Sequence, residues 1–527
     1  MALRHRRSGP SEYTETDRHE DTKVLHGLGY AQELERRMSK FSNFAISFSI
    51  ICIVSGGINS LGQATSGVGG AAIGIGWPVG VAISGVFALA LAQISSAYPT
   101  AGGLYHWGSI LGNRFTGWLS AWLNLLGLIT VLGAINIGTY YFVYGAFGSR
   151  LGIEDTLTNR VLFMAVITGI QALINHFGIG LTARLTDLSG YLIFATSIAL
   201  TIACLVAAQN IDISRLWTFH DYTGGQGSNA VWPNTVGIGM AFLLGLLLPV
   251  YTITGYDASA HTSEETVKAA HNVPAGMVSS VVWSGLFGWV MLCAFVLMIP
   301  DMNQAAQQGW NVFFWAMDSR MDHTVRDVLY VFIFACQFLC GLATVTSVSR
   351  MLFAFSRDGG IPGASRILAK VSPRRRVPIA SIWAASTLAT LFVWFTSAIT
   401  IAGTPAYSIV VSCTVIFLFL SFAVPIGLGL VTIGGEKWPH MGPWSLGIVG
   451  FRIVGVLSLA AMALLLFIGV QPPNTYALPI TIGFVVLALV VWFAFEQRRF
   501  QGPPIGDVIA AREASIRAAE LAVGEKS

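Results

Sequence analysis

Nine long stretches of this chain contain no Asp, Glu, Lys or Arg, and they decide what it can fold into. They run over residues 41–113, 115–149, 161–183, 188–210, 223–256, 275–300, 328–349, 377–435 and 453–495. A helix needs about 20 apolar residues to cross a hydrocarbon core about 30 Å thick. A charge at the centre of such a crossing costs about 2.5–3.5 kcal/mol. Each stretch therefore has the length and purity for one or two membrane crossings. Charged residues make up 11% of the 527-residue chain, against about 25% in ordinary soluble proteins. That deficit excludes most soluble folds.

The pattern predicts an all-α polytopic membrane protein of about twelve transmembrane helices. The expected spans are 42–66, 72–95, 116–145, 159–177, 184–209, 234–268, 276–299, 324–356, 378–397, 405–431, 450–470 and 476–496. The 377–435 stretch holds two spans, split at Gly403-Thr404-Pro405, and Gln471-Pro472-Pro473-Asn474 separates the last two. Residues 1–22 are polar and read as disordered. Ala31–Lys40 reads as a short charged helix, Asp301–Met321 as an outer amphipathic segment, and the tail beyond Gly502-Pro503-Pro504 as an Ala-rich helix.

Basic residues cluster in the N-terminal arm, in Arg350–Arg376 and in the C-terminal tail. With both termini cytoplasmic, only Arg150, Arg160, Arg215, Arg320 and Arg326 fall on the far side, as the positive-inside rule requires. The basic charge thus reports topology, and a nucleic-acid partner is not expected. The six cysteines lie in or beside apolar segments and read as small buried hydrophobes. No Walker sequence, metal-ligand cluster or nucleophile arrangement appears. Neither an enzyme nor ATP drive is therefore expected, and no cofactor beyond a coupling ion, H+ or Na+.

Two spans look interrupted. The first contains Val54-Ser55-Gly56-Gly57-Ile58-Asn59-Ser60, and paired glycines weaken a helix by about 1 kcal/mol each. The sixth contains Thr252-Ile253-Thr254-Gly255-Tyr256-Asp257, with a glycine and an acid inside the apolar run. Unpaired backbone within a bilayer is tolerated where it faces protein or an aqueous cavity. Interruptions at matching places five spans apart point to a transport site. Freed N–H groups there hold an anion, and freed carbonyls hold an ammonium group or an ion. One amino-acid headgroup carries both charges. Close helix packing is the plain alternative for the glycines. Asp257 is either a coupling residue or a cap on the second half of span 6.

Three further stretches carry a resemblance. They are SAYPTAGGLYHW (96–107), GYDASAHTSEETVKAAHNVPAG (255–276) and TSVSRMLFAFSRDGGIPG (346–363). With the glycine break at 54–60, the chain resembles the amino acid–polyamine–organocation permeases over roughly residues 30–500, and most of all their amino acid/choline branch, which includes GABA permeases. The resemblance implies a five-plus-five inverted-repeat core of LeuT type with broken helices 1 and 6, working by alternating access. It divides the chain into an arm (1–40), a transport core of spans 1–10 (41–431), peripheral spans 11 and 12 (432–497) and a tail (498–527).

The resemblance also implies roles. Ser55, Gly56, Gly57 and Ile58 would offer N–H groups to a substrate carboxylate. Val54, Ile253 and Thr254 would offer carbonyls to its amine, beside Gly255. Tyr256 would cap the site from outside, and Tyr98-Pro99 with Gly102-Gly103 would shape the inner loop. Glu264 and Glu265, with Arg350 and Arg357, would sit at the cytoplasmic mouth. Asp257 and His261 are candidates for proton handling. Thr344 and Ser347, three apart on one face of span 8, are candidates for sodium or bond their own helix instead. Some relatives in this superfamily carry a lysine in span 5 that stands in for sodium. That place falls near Ile193, and the span has no lysine.

The expected function is a secondary permease for an amino acid or a relative such as GABA, in the cytoplasmic membrane. The expected partners are a small-molecule substrate and the lipid bilayer. Competing readings are a choline or polyamine permease, a non-transporting sensor on the same core, and an accessory or channel subunit.

Overall fold

The computed structural model describes residues 14–398, 406–504, 509 and 512–523. The expected boundary at Gly403-Thr404-Pro405 and the first thirteen residues of the arm lie outside them. Eleven helices are long and apolar enough to cross a membrane. In chain order they are span 1 (Lys40–Asn59), span 2 (Ala72–Ala97), span 3 (Arg114–Leu151), span 4 (Leu157–His176), span 5 (Ile179–Ala207), span 7 (Ala269–Met298), span 8 (His323–Arg357), span 9 (Ile379–Ala398), span 10 (Val410–Thr432), span 11 (Gly447–Gly469) and span 12 (Ala477–Arg499). Span 6 is built from shorter pieces, Ile238–Gly245 and Leu247–Thr252, followed after a break by Ala258–His261. All twelve expected spans are thus present.

Packing partners repeat with a period of five spans. Span 3 packs on spans 8, 9 and 10, and span 8 packs on spans 3, 4 and 5. Span 1 lies against span 7, and span 6 lies against span 2. Exchanging each span n for n+5 preserves these neighbours, as two repeats folded around one axis require. Span 11 packs on spans 10 and 2, and span 12 on span 10 alone among the spans with extensive contact.

Burial sorts the spans into a core and a lipid-facing ring. The apolar window of span 1 is 94% buried and that of span 3 is 83% buried, against 11% for span 12 and 28% for span 4. The ring exposes Leu162, Val206, Val456 and Phe495, side chains that a bilayer solvates without cost. Inside, amide side chains tie spans 3, 4 and 8 together. Asn136 donates to Gln171 at 2.8 Å, Gln171 donates to the Phe338 carbonyl at 3.0 Å, and Asn175 donates to the Leu342 carbonyl at 3.1 Å. Gly341 makes room for them, since a Cβ there would sit 2.2 Å from the Gln171 nitrogen.

The arm departs from expectation. Glu15–Gly27 is a helix, started by a Thr14–Asp17 capping box. Residues 31–37 are not helical, and Met38 bridges to Thr266. The cause is tertiary: the N–H groups of Arg37 and Met38 donate to the Glu265 carbonyl at 2.9 and 2.8 Å, which an extended strap permits and a helix does not. The expected outer segment at Asp301–Met321 contains two short helices, Met302–Gln307 and Val312–Arg320, and the tail helix appears as Glu513–Ala522.

Candidate functional site

Span 1 breaks at Cys52, two residues before the stretch that the glycines suggested. Helix runs over Lys40–Ile51, Cys52 adopts left-handed φ 33° and ψ 77°, and helix resumes at Ile53 and continues through Gly57 to Asn59. The left-handed turn is held from outside, because the Cys52 thiol donates to the Cys336 carbonyl of span 8 at 3.8 Å. This placement changes the donor set. Ser55 and Gly56 N–H groups are taken by the Cys52 carbonyl at 2.7 and 3.2 Å, and Gly57 and Ile58 lie inside the resumed helix. The amides without an intrahelical acceptor are those of the first turn, Ile53 and Val54. The Val54 carbonyl accepts from Gln337 at 3.4 Å.

Span 6 breaks where the sequence indicates. Helix ends at Thr252, Gly255 takes φ 90°, and helix resumes at Ala258. A Cβ on Gly255 would approach Ile50 Cγ2 to 2.3 Å, so the glycine is required for conformation and for space. Gly56 lies as close to the other partner: a Cβ there would meet Thr252 Oγ1 at 2.8 Å. Gly57 faces elsewhere, toward Leu292 and Trp77, where a Cβ would have ordinary clearance from 3.4 Å.

Between the two breaks lies a cavity lined by Ile50, Ile51, Ser55 and Gly56 of span 1 and Tyr251, Thr252 and Thr254 of span 6. Val131 and Ile135 of span 3 and Cys340 of span 8 complete it. Its volume is about 10 Å³, room for about one water. The space between the breaks is therefore too small for an amino acid in this structure. Of the residues named from sequence, Ser55, Gly56 and Thr254 line the cavity. Val54, Gly57, Ile58, Ile253, Gly255 and Tyr256 do not. Tyr256 is buried against Phe422, with ring centroids 5.4 Å apart.

Asp257 points away from the cavity into a second buried cluster. Its Oδ2 accepts from Asn124 of span 3 at 3.2 Å and lies 3.3 Å from His261 Nε2, while its Oδ1 has no partner. His261 Nδ1 meets the Ala101 carbonyl at 3.2 Å. Thr344 donates to the Cys340 carbonyl of its own helix at 2.9 Å, and the Ser347 hydroxyl is buried without a partner.

The face of the bundle that bears both termini is sealed by paired charges. Arg350 grips Glu265 through two bonds, 3.0 and 2.9 Å, and both side chains are inaccessible to solvent. Arg357 grips Glu264 at 3.0 and 2.8 Å and stacks over the Tyr30 ring at 4.0 Å. Burial alone would raise the Glu264 carboxyl pKa; Arg357 outweighs it and holds the group below its ordinary value. Tyr30 and Tyr105 both donate to Asp358, at 2.6 and 3.0 Å. The strap and the tail complete the seal. Arg36 reaches the carbonyls of Ser263 and Thr266 at 3.1 and 2.6 Å, and buried Glu520 accepts from the Gln32 N–H at 3.0 Å beside His26 at 2.7 Å. The four charges expected at the cytoplasmic mouth thus form two buried pairs.

Residues 38–492 match the family profile described as "Amino acid permease". The chain belongs to the amino acid permease family. Among relatives, the permease is 31% identical to amino-acid permease BAT1 of Arabidopsis thaliana over 91% of this chain and 95% of that one. It is 26% identical to uncharacterized amino-acid permease C74.04 of Schizosaccharomyces pombe, over 98% and 93% of the two chains. It is also 26% identical to the GABA-specific permease of Saccharomyces cerevisiae, over 92% and 86%. The permease is thus an integral membrane amino acid transporter with two broken helices meeting at its centre. Sequence reasoning missed Ile50, Ile51, Val131, Ile135, Tyr251, Thr252 and Cys340 as lining residues.

Proposed function

We propose that the permease carries small zwitterionic amino acids with uncharged side chains, including compounds such as GABA, across the cytoplasmic membrane with both termini in the cytoplasm. The observation that carries this reading is the cavity lining. It holds two hydroxyl-bearing break residues, Ser55 and Thr254, and apolar side chains from spans 1 and 3, but no Lys, Arg, Asp, Glu or His. A headgroup of both charges can satisfy itself on helix-end peptide groups. A third charge, as on lysine, glutamate or a polyamine, would be desolvated there without a counterion, at a cost of several kcal/mol. Choline lacks a carboxylate, so it would leave the break residues Ser55, Gly56 and Thr254 that line the cavity without an anionic partner. The GABA-specific relative supports the size class, and the Lys/Arg distribution supports the orientation.

Counterflow in proteoliposomes tests the substrate class. Radiolabelled L-alanine or GABA should exchange, while L-lysine, L-glutamate, choline and putrescine should fail to compete at tenfold excess. Competition by choline equal to that by L-alanine would refute this reading. A C-terminal epitope tag detectable in unpermeabilised cells would refute the orientation.

A further inference from the structure

Beneath the cavity lies a group of residues that substrate binding does not use. Asp257 is fully buried in the middle of the bundle, and its one ion-pair partner among the described residues is His261. The polar groups at or next to it come from several elements. Span 3 supplies the Asn124 amide, at 3.2 Å. Span 10 supplies Ser421, which lies 3.4 Å from the Asn124 nitrogen and itself donates to the Leu418 carbonyl. Span 1 supplies Ser47, which donates to the Tyr256 carbonyl. The Tyr256 phenol, on the same element, has no partner. None of these neutralises a carboxylate by charge.

The hydrogen bonds of His261 count the protons. A carbonyl only accepts, so the contact with Ala101 requires a proton on Nδ1. Nε2 then faces Asp257 Oδ2 at 3.3 Å. With Nε2 bare and the carboxylate ionised, two lone pairs would oppose each other in a dry interior. The contact is attractive only if one further proton sits on the pair, as imidazolium and carboxylate or as neutral imidazole and carboxylic acid. The pair is then neutral overall. Removing that proton leaves one uncompensated negative charge inside the bundle, a state disfavoured until water reaches it.

We infer that Asp257 and His261 together form a proton-binding site that couples transport to a proton gradient. The site is connected to the lock at the terminal face through a single residue. The Ala101 carbonyl accepts from His261, and the Ala101 N–H donates to Glu264 Oε1 at 3.2 Å, the carboxylate that Arg357 grips. A Cβ on Gly103, at φ 46°, would come within 3.3 Å of the same imidazole. In this structure the pair holds one proton. When the Glu264–Arg357 lock opens, water enters, the proton leaves as hydronium, and the pair carries one negative charge until it is reloaded from the opposite side. The Glu264 carboxylate is paired in this arrangement with Arg357.

This inference rests on the transport reading, and one experiment separates their failures. Wild-type protein, Asp257→Asn and His261→Gln are reconstituted with pyranine trapped inside, after size-exclusion chromatography shows each folded. With L-alanine or GABA as probe, wild type should accumulate label at least tenfold under an inward proton gradient, and substrate addition should acidify the lumen. Both variants should lose gradient-driven accumulation and the pyranine signal, and whatever exchange they retain should no longer vary between pH 5.5 and 8. Wild-type counterflow without lumen acidification, or accumulation driven by a sodium gradient alone, overturns the inference. So does a variant that keeps both the pyranine signal and the wild-type pH profile. Absence of counterflow in wild type overturns the transport reading, and the inference with it.

Discussion

At the scale of single residues, the site depends on two glycines with different jobs. Gly255 occupies a left-handed conformation in which any Cβ would strike Ile50. Gly255→Ala should therefore reduce uptake more than tenfold while surface expression holds within a factor of two, as measured by labelled uptake against fluorescent-tag expression. Gly56 lets span 1 touch the backbone of Thr252, so Gly56→Val should abolish uptake by separating the two broken helices. Gly57→Ala should cost much less than Gly56→Ala, because Leu292 and Trp77 leave its Cβ ordinary clearance. A larger loss at Gly57 than at Gly56 in the same assay would mean that the cavity lies on the other face of span 1.

At the scale of elements, legibility followed the strength of the physical signal. Twelve crossings were readable because a charge in a bilayer is costly and its absence over long runs is unambiguous. The break in span 6 was readable because Gly255 and Asp257 both contradict an apolar helix. The break in span 1 was misplaced because the glycine pair drew attention, while the left-handed residue is a cysteine whose conformation is set by span 8. Val131 and Ile135 line the cavity, yet nothing within the apolar run of span 3 distinguishes them from neighbours that pack against other helices. The pairing of Glu264 and Glu265 with Arg357 and Arg350 is not legible in the sequence, since it depends on contacts far apart along the chain. Glu265→Ala would leave Arg350 buried without its carboxylate, a loss of about 3–5 kcal/mol. A fall in apparent melting temperature larger than that of an exposed control such as Glu154→Ala, by fluorescence-detected unfolding in detergent, checks it.

At the scale of the whole molecule, both termini fold back on the face that the charge lock closes. The tail helix holds the strap through Glu520, Gln32 and His26, and the strap holds the end of span 6 through Arg36, Arg37 and Met38. Truncation after Pro504 should expose the strap, and limited trypsin digestion should cut at Arg36 or Arg37 several-fold faster than in the full chain. Equal cutting rates would show that the strap holds without the tail. Cys52 has a wider consequence for this assembly. A non-glycine residue in the left-handed region stores about 1–3 kcal/mol, and here the restraint comes from a neighbouring helix through the Cys336 carbonyl. The bend in span 1 thus leans on a neighbour, and a movement of span 8 that carried the Cys336 carbonyl away would remove one restraint on it.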